Sequence, residues 1–465
     1  MKLTYNLIFT LTIFITLASC SINRHIVKDT AMDLPEQFRG VSGNDTASIA
    51  SIVWQDFYTD NVLQMLIEKG LKYNHDLLLA VQRIEIAKQY VRQGKQLWLP
   101  ELGLNLSGTY NYPSENGLNR TTGTFEDYSL GINFQWEIDI WGKIRNQNKI
   151  IQAEYLRSYE AKNAIQTALI SNIATGYYNL LLLDKQLEIA AKNLELADNT
   201  QRITTLLYEE GEVTSLAVSQ VKAQRESVAL LIPKLQQEII LQENALQELT
   251  GQFPGEINRD KNIENIQVSN SLNAGIPVSI LSCRPDVRVT ELDVHTANYR
   301  VGIAKAEMYP SLLITAEGGL ETLKASDWFN IPGSLFGIVA GNLTRPLFSR
   351  RKLKTEYEVA QLEREQSVIK FRQIVVSAVA DASNTIVSIE KIKEQETIVR
   401  KQVEELTNAV VNADSLYREG MANYIEVITA QNRLLEAELN SSYIYYLKLC
   451  AVSDLYRSLG GGVNQ

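Results

Sequence analysis

The chain has 465 residues, 45% of them hydrophobic, and a formal net charge of −9. This length allows two ordinary domains, and the acidic balance argues against nucleic acid as a partner. Only 10 residues are proline, well below the roughly 5% of ordinary proteins. The composition therefore favours long uninterrupted helices, because proline removes a backbone donor and breaks a helix.

The first twenty residues form a targeting segment. A short basic region precedes the apolar run Leu7–Leu17, and Leu17-Ala18-Ser19-Cys20 forms a small-residue cleavage site that ends in cysteine. The pattern resembles a bacterial lipoprotein signal and predicts cleavage before Cys20 with acylation of Cys20; an ordinary signal peptide is the alternative. We expect residues 1–19 to be the signal peptide and residues 20–59 to be a lipidated N-terminal segment.

The rest of the chain contains the same unit twice. Residues 74–100 match residues 284–310 at a constant offset of 210, and the sequence of residues 207–211 recurs at 416–420. A unit of this size is too long for a solenoid repeat. The predicted organisation is repeat 1, a linker and repeat 2, over residues 60–251, 252–276 and 277–465.

Each repeat contains two segments whose residues alternate between apolar and polar. Such segments occupy residues 102–112 and 128–140 in repeat 1, and they recur less regularly at 312–320 and 335–347 in repeat 2. Alternation over roughly 9–11 residues is typical of strands in outer-membrane barrels. A soluble sandwich with one buried face is the alternative. The predicted membrane hairpins lie at about 101–140 and 311–347.

Four strands cannot close a membrane barrel, since about eight is the smallest usual number. An open edge cannot face lipid, because its unpaired backbone groups have no water to bond. We therefore expect other copies of the chain to complete the barrel. Three copies would supply twelve strands.

A long helix follows each hairpin. Between Gln147 and Tyr208 the only helix breaker is Gly176. From Phe371 to Tyr417, fourteen positions spaced by alternating steps of four and three are apolar except for a threonine and a glutamate. A period of 3.5 residues predicts a coiled coil. A second apolar row lies beside this seam, at Ile374, Val379, Ile386, Ile398 and Val411.

Two apolar rows on one helix predict contact with two neighbours, as in the wall of a tube. The long helices should end at Gly211 and Gly420, and return helices should follow over Val213–Leu249 and Tyr424–Leu459. Pro233 should kink the first return helix. The glycine-bearing turns with acidic neighbours predict solvent-exposed tips.

No arrangement in the sequence indicates catalysis or metal binding. The three histidines do not cluster with cysteines or carboxylates at ligand spacing, and no Gly-x-Ser-x-Gly element is present. Cys283 and Cys450 allow one disulfide or none, and without a signature spacing we expect two buried free thiols.

Several motifs occur in a specific order along the chain. They are Cys20 in its cleavage site, Arg284-Pro285-Asp286-Val287, Ala304-Lys305-Ala306, Tyr309-Pro310-Ser311-Leu312, Pro346-Leu347-Phe348, and Leu455-Tyr456-Arg457-Ser458-Leu459-Gly460-Gly461-Gly462. Together with the Tyr-x-x-Gly tips they resemble the TolC-like outer-membrane efflux proteins, in the acylated OprM/NodT branch. The resemblance covers essentially the whole mature chain.

This resemblance implies an α+β membrane protein with two tandem repeats per chain. Three copies would form a twelve-stranded barrel continuous with a coiled-coil helical tube in the periplasm. The implied partners are two further copies, a periplasmic adaptor, an inner-membrane pump of the resistance-nodulation-division type, and outer-membrane lipid. No cofactor is implied apart from the covalent lipid on Cys20. The expected location is the bacterial outer membrane, lipid-anchored.

The resemblance also implies a gate at the helix tips, with an acidic ring six residues after each tip glycine. That position is Glu426 in repeat 2 but Ala217 in repeat 1, so one carboxylate per subunit is expected. Asp414 is a second candidate, and an ordinary solvated charge is the alternative role for Glu426. Tyr417 and Tyr208, just before the turns, could hold the closed coil or simply pack on neighbours. The residues expected to meet an adaptor are Gly211, Val213, Leu216, Val218, Gly420, Ala422, Ile425 and Val427.

The expected function is a passive export duct for drugs, metals or other small solutes. The main alternative is the outer-membrane duct of a type I protein secretion system. A lipoprotein hydrolase lacks a supporting motif, and a coiled-coil spacer or adhesin does not explain strands of membrane length.

Overall fold

The computed structural model describes residues 34–39, 49, 52–114, 116, 123–259, 262–266, 277 and 280–463. Cys20 and the signal segment lie outside the described residues. Within the described ranges, no helix has a stretch that meets the length and hydropathy requirements of a membrane span.

The part of the chain up to residue 251 contributes six α-helices and two strands to the described structure. In chain order these are α1 (Trp54–Phe57), α2 (Asn61–Tyr73), α3 (His75–Gly94), β1 (Glu101–Asn111), β2 (Phe125–Ile138), α4 (Lys143–Glu209), α5 (Ser215–Ala229) and α6 (Leu231–Leu249). Repeat 2 follows the same order from its second helix onward. Its elements are α7 (Ile280–Cys283), α8 (Pro285–Ala306), β3 (Ser311–Thr322), β4 (Leu335–Thr344), α9 (Lys352–Arg418) and α10 (Tyr424–Ser458).

The chain divides into two compact units, and each draws on both repeats. One, the sheet unit, includes Ile84–Ser158 and Thr290–Arg372. The other, the helical unit, includes Asp33–Arg83, Tyr159–Val289 and Gln373–Gln465.

The sheet unit contains one antiparallel sheet in the order β1-β2-β3-β4. Its register places a row of leucines across all four strands, Leu106 opposite Leu130, Leu130 opposite Leu320, and Leu320 opposite Leu335. The adjacent position on the other face is polar, where the Ser107 and Ser129 hydroxyls lie 2.7 Å apart. The sheet thus keeps the two-faced pattern expected from the sequence.

The last strand is shorter than the sequence suggests. The alternating pattern predicts a strand up to Leu347, but β4 ends at Thr344. Pro346 has no backbone N–H to donate to a ladder, and Leu347 and Phe348 are 97% and 85% exposed. The strand therefore stops where the next residues can no longer pair within the chain.

The two strand-to-helix junctions are built differently. In repeat 1, Gly142 adopts a φ of 81°, and Trp141 stacks on Tyr309 at 4.8 Å while donating to the Pro310 carbonyl at 2.8 Å. In repeat 2, Arg350 and Arg351 have φ values of 52° and 65°. This conformation costs a non-glycine residue roughly 1–2 kcal/mol, so the second junction is locally strained.

The helical unit contains most of the buried apolar side chains of the described structure. Ile170, Ile173 and Leu180 on α4 are at most 1% exposed, and burying each such side chain is worth about 1.5–3 kcal/mol. Gly176 does not interrupt α4, and a Cβ there would lie 2.9 Å from the Leu246 side chain. The glycine therefore permits close packing of α4 against α6.

The seam on α9 is confirmed. Val375, Ala378 and Ala382 are at most 1% exposed, and the one acidic seam residue, Glu396, accepts from Lys448 Nζ at 2.8 Å. The second apolar row is only partly covered by the chain itself. Ile398 and Val411 remain 68% and 61% exposed, as expected for a helix that needs a second neighbour.

The two return helices differ because of one proline. The first is split between Ala229 and Leu231, at Leu230. Pro233 cannot donate to the carbonyl four residues back, at Ala229, and its ring clashes with that carbonyl. The second return helix, α10, runs without a break for 35 residues.

The C-terminal motif packs against the N-terminal segment. Phe57 stacks on Tyr456 at 4.1 Å, and Tyr456 Oη donates to the Ile52 carbonyl at 2.7 Å. Gly460 has a φ of 90°, and a Cβ there would lie 2.4 Å from the Cys283 carbonyl oxygen. The glycine run therefore allows a backbone approach that no side chain would permit.

The Arg284 motif joins three elements of the helical unit. The Arg284 guanidinium donates two hydrogen bonds to the Asp286 carboxylate, at 3.0 and 2.6 Å, and one to the Ser458 carbonyl at 3.2 Å. It also lies 3.6 Å from Asp381 on α9. Burial works to raise the pKa of Asp286, but the bonds from Arg284 outweigh it and hold this pKa below its ordinary value.

Cys283 and Cys450, the two cysteines among the described residues, are free thiols, as expected. The prediction that both are buried is wrong for Cys283, which is exposed at the end of the short helix α7. Cys450 is partly covered, and burial raises the pKa of its thiol to about 12.

Candidate functional site

The two tip turns of the helical unit have the same backbone geometry. In the first, Gly211 N–H donates to the Tyr208 carbonyl at 3.0 Å and Glu212 N–H donates to the Leu207 carbonyl at 2.9 Å. In the second, the same two bonds run from Gly420 to Tyr417, at 3.1 Å, and from Met421 to Leu416, at 2.8 Å. Each turn is therefore a Schellman motif.

The left-handed residue of each motif is the repeated glycine. Gly211 and Gly420 have φ values of 82° and 73°, and a Cβ at either would meet nothing within 4 Å. Glycine is needed here for its backbone conformation alone. The repeated five-residue sequence thus encodes one repeated turn.

The helices that follow the turns begin differently. Asn423 caps α10, and its side chain accepts from Glu426 N–H at 3.1 Å while the Glu426 carboxylate accepts from Asn423 N–H at 3.0 Å. This is a complete capping box. Thr214 precedes α5 without a capping bond from its side chain, and Ala217 takes the place of the glutamate.

The gate candidate Glu426 therefore has a local structural role. Its carboxylate is exposed and lies in the first turn of α10, where the helix dipole favours negative charge. Ala217, the equivalent residue in the first turn, is 1% exposed. The two tips thus differ both in charge and in which side chains they bury.

Asp414 forms an ion pair with a residue of its own helix. Arg418 Nε donates to Asp414 at 2.9 Å, four residues along α9. A surface pair of this kind contributes only about 0.3–0.5 kcal/mol, so it leaves the carboxylate available for other contacts.

Tyr417 and Tyr208 have different environments despite their equivalent positions. Tyr208 is 47% exposed, whereas Tyr417 is 3% exposed and its Oη lies 2.9 Å from Thr204 Oγ1. Thr204 Oγ1 already donates to the Thr200 carbonyl at 2.8 Å. A hydroxyl has one proton to donate, so Tyr417 is the donor in this pair.

A second bond of the same kind lies one turn back on α4. Thr200 Oγ1 donates to the Leu196 carbonyl at 3.0 Å and accepts from Gln431 Nε2 at 2.9 Å. Thr200 and Thr204 are at most 1% exposed. We call Thr200, Thr204, Tyr417 and Gln431 the threonine ladder.

The threonine ladder ties α4 of repeat 1 to α9 and α10 of repeat 2. Burial raises the pKa of the Tyr417 hydroxyl. Sequence reasoning identified Tyr417 but not the other three members of the threonine ladder. The available signal was two threonines one helical turn apart near the end of the long helix.

The expected adaptor-facing residues divide into exposed and buried groups. Leu216 and Ile425 occupy equivalent positions, one residue before Ala217 and Glu426, and they are 61% and 50% exposed. Val427 is fully buried and belongs to the helix packing instead. Val213, Val218 and Ala422 are partly exposed.

Comparison with known proteins places this geometry in a family. The family model of the outer membrane efflux proteins matches residues 66–252 and 276–461. The cation efflux system protein CusC of Escherichia coli K12 is 26% identical over 437 residues, which cover 93% of this chain and 94% of that protein. The probable outer membrane lipoprotein SilC of Salmonella typhimurium is 26% identical over 455 residues, covering 97% of both chains.

A crystal structure of CusC agrees with this fold at a TM-score of 0.84 and 26% identity, covering 94% of this chain and 99% of the other. Such structures are TolC-like trimeric channels, so the predicted fold of a trimeric twelve-stranded barrel continuous with a helical tube is confirmed. The predicted location in the outer membrane and the absence of an enzymatic activity are confirmed as well, since proteins of this family are efflux channels. This chain belongs to the outer membrane efflux protein family.

Proposed function

We propose that the channel is the outer-membrane duct of a tripartite pump that exports small solutes, and that its tip turns dock a periplasmic adaptor. The observation that carries the docking proposal is the pair of equal Schellman turns, each followed by an exposed apolar residue, Leu216 or Ile425. Exposed apolar side chains in the first turn of a helix suit contact with the end of another helix pair.

Three copies present six such tips, three of each kind. An adaptor with helical hairpins could extend each helix pair through coiled-coil-like contacts. The inner-membrane partner is then a pump of the resistance-nodulation-division type. The name of CusC, a cation efflux system protein, supports cations as the first cargo to test, with drugs and other small solutes next.

Deletion of the gene should sensitise its host to metal cations or to small toxic compounds. Wild-type protein should restore tolerance, whereas the double variant Leu216→Asp with Ile425→Asp should not, because it places charge on the docking residues. Growth in graded concentrations of each compound is the measurement.

Leu230→Asp is the matched control, because Leu230 is 70% exposed but lies at the break between α5 and α6. It should restore tolerance fully. Full tolerance in the deletion strain together with loss of one secreted protein would favour the protein secretion duct. Full rescue by the double variant, at equal amounts in the outer membrane, would reject docking at these residues.

We further propose that the threonine ladder holds the tips closed. Opening requires α9 and α10 to move relative to α4, and this movement would break the Tyr417 and Gln431 bonds. Both bonds are buried, so each group would lose its partner before reaching water, and one such bond contributes about 0.5–1.5 kcal/mol.

Tyr417→Phe should therefore loosen the tips by about 1 kcal/mol. Hydrogen exchange should accelerate in the peptides around residues 200–208 and 413–420. Thr204→Val should have a similar effect, and the double variant should exchange no faster than the more affected single variant. Tyr208→Phe is the control, and an equal acceleration there would contradict the assignment.

We also propose that three Glu426 carboxylates form an acidic ring at the tip. Glu426→Gln separates charge from structure, because glutamine can still complete a capping box. It should weaken block by divalent cations in planar bilayers while leaving hydrogen exchange at the tip unchanged. Glu426→Ala should weaken the block and also loosen the start of α10. Unchanged block in both variants would show that Glu426 acts only as a cap.

Finally, we propose that Cys20 carries the lipid. The name of SilC supports a lipoprotein, and Cys20 ends the small-residue cleavage site. Cys20→Ala should abolish labelling with radioactive palmitate, with Cys283→Ala as the control that keeps it. Persistent labelling of the Cys20 variant would assign the lipid elsewhere.

A further inference from the structure

The sheet has two edges that a closed barrel cannot leave open. β1 and β4 each pair with one strand only within the described sheet. In the family fold, β4 of one copy must meet β1 of the next, because lipid offers no partner to free backbone groups. An equivalent strand pairing exists inside the chain, since β2 of repeat 1 pairs with β3 of repeat 2.

The equivalent residues of the two repeats are fixed by the structure. First strands are related by an offset of 210, as in Pro100 and Pro310. Within the hairpins, Glu101 pairs with Gln135 and Ser311 with Thr344, so second strands are related by an offset of 209.

Other features beyond the strands support the offset of 209. It relates the first residues of the long helices, Lys143 and Lys352. It also relates two junction residues with positive φ, Gly142 and Arg351. The tip glycines, which also have positive φ, follow the same offset. The equivalence therefore holds from the second strand to the end of the long helix.

We infer that β4 pairs with β1 of the neighbouring copy in the register that β2 adopts with β3. Within the chain, Asn133 is opposite Glu317 and Phe134 is opposite Ala316. Shifting these positions by 209 and by 210 places Asn342 opposite Ser107 of the next copy, and Leu343 opposite Leu106.

Polarity supports this register independently. Directly opposite residues share a face of the sheet, and the assignment places apolar Leu343 beside Leu106 and polar Asn342 beside Ser107. The same register places Val339 beside Tyr110. A slip of one residue in either direction would put Leu343 opposite a polar residue.

The register also explains where β4 stops. The equivalent of the last β2 pair would place Leu347 opposite Leu102 of the next copy. Pro346 lacks an N–H and interrupts that ladder, so the paired seam ends near Arg345. The seam between copies is then shorter than the β2–β3 seam inside the chain, which extends from Tyr128 to Ile138.

Paired cysteines test the register in the full-length channel. The background carries Cys283→Ser and Cys450→Ala, and it receives Asn342→Cys with Ser107→Cys, or Leu343→Cys with Leu106→Cys. Narrow and wide pairs alternate along an antiparallel ladder, so at least one combination should have Cβ atoms close enough for a disulfide. Single-cysteine variants are the controls for other thiols.

Any disulfide formed must join two copies. Within one sheet, β1 and β4 are three strand spacings apart, about 14 Å, which is too far for a disulfide. Oxidised outer membranes should shift most of the chain to linked dimers and trimers on non-reducing gels, and reduction should reverse this shift.

The slipped combinations Asn342→Cys with Asn105→Cys, and Asn342→Cys with Thr109→Cys, keep the same face but move the register by two residues. They should link only a minor fraction of the chain. Stronger linking in either slipped pair would overturn the register. Absence of linking in both in-register pairs, in variants that still form native trimers when reduced, would also overturn it.

Discussion

The need to pair backbone groups in lipid governs this protein. Each chain has a four-stranded sheet with two edge strands, and an unpaired edge in hydrocarbon costs several kcal/mol for each group left without a partner. No change of side chain can remove that cost. Assembly of three copies is therefore part of folding for the sheet, and the chain alone is an incomplete unit.

Because the chain is duplicated, one kind of strand pairing can satisfy the backbone groups in two places. The β2–β3 pair joins the two repeats inside a chain, and the equivalent pair joins neighbouring copies. The second contact can form only after translation and secretion of separate chains. The strained Arg350 and Arg351 and the exposed Leu347 and Phe348 all lie at the junction next to that contact, whereas the equivalent part of repeat 1 is already packed.

In the helical unit, too, equivalent parts of the two repeats differ. The tip turns keep identical backbone bonds, yet only Tyr417 is buried and bonded to Thr204, and only Asn423 has a capping box with Glu426. Backbone geometry repeats because it depends on glycine and helix ends alone. Side-chain contacts differ because each depends on what the neighbouring helix presents.

Local patterns in the sequence are enough to predict the elements and their order. Alternation identified the four strands, the 3.5-residue period identified the α9 seam, and Pro233 predicted the irregular return helix. These features follow from local steric rules and from the spacing of apolar residues, which need no knowledge of distant contacts. The repeated Tyr-x-x-Gly segments likewise predicted the tips, since a left-handed residue at a helix end is best supplied by glycine.

Which equivalent residues act alike depends on contacts that are visible in the folded chain alone. Tyr208 and Tyr417 occupy the same position in the repeated Leu-Tyr-x-Glu-Gly segment, but one is exposed and the other is bonded to a threonine 213 positions away. From the sequence, Glu426 is an ordinary free charge, but in the structure its carboxylate accepts a hydrogen bond from Asn423 N–H. The sequence likewise suggests that Cys283 is buried, but in the structure it is exposed. Partners far apart in the chain are set by the packing of whole helices, which no local pattern specifies.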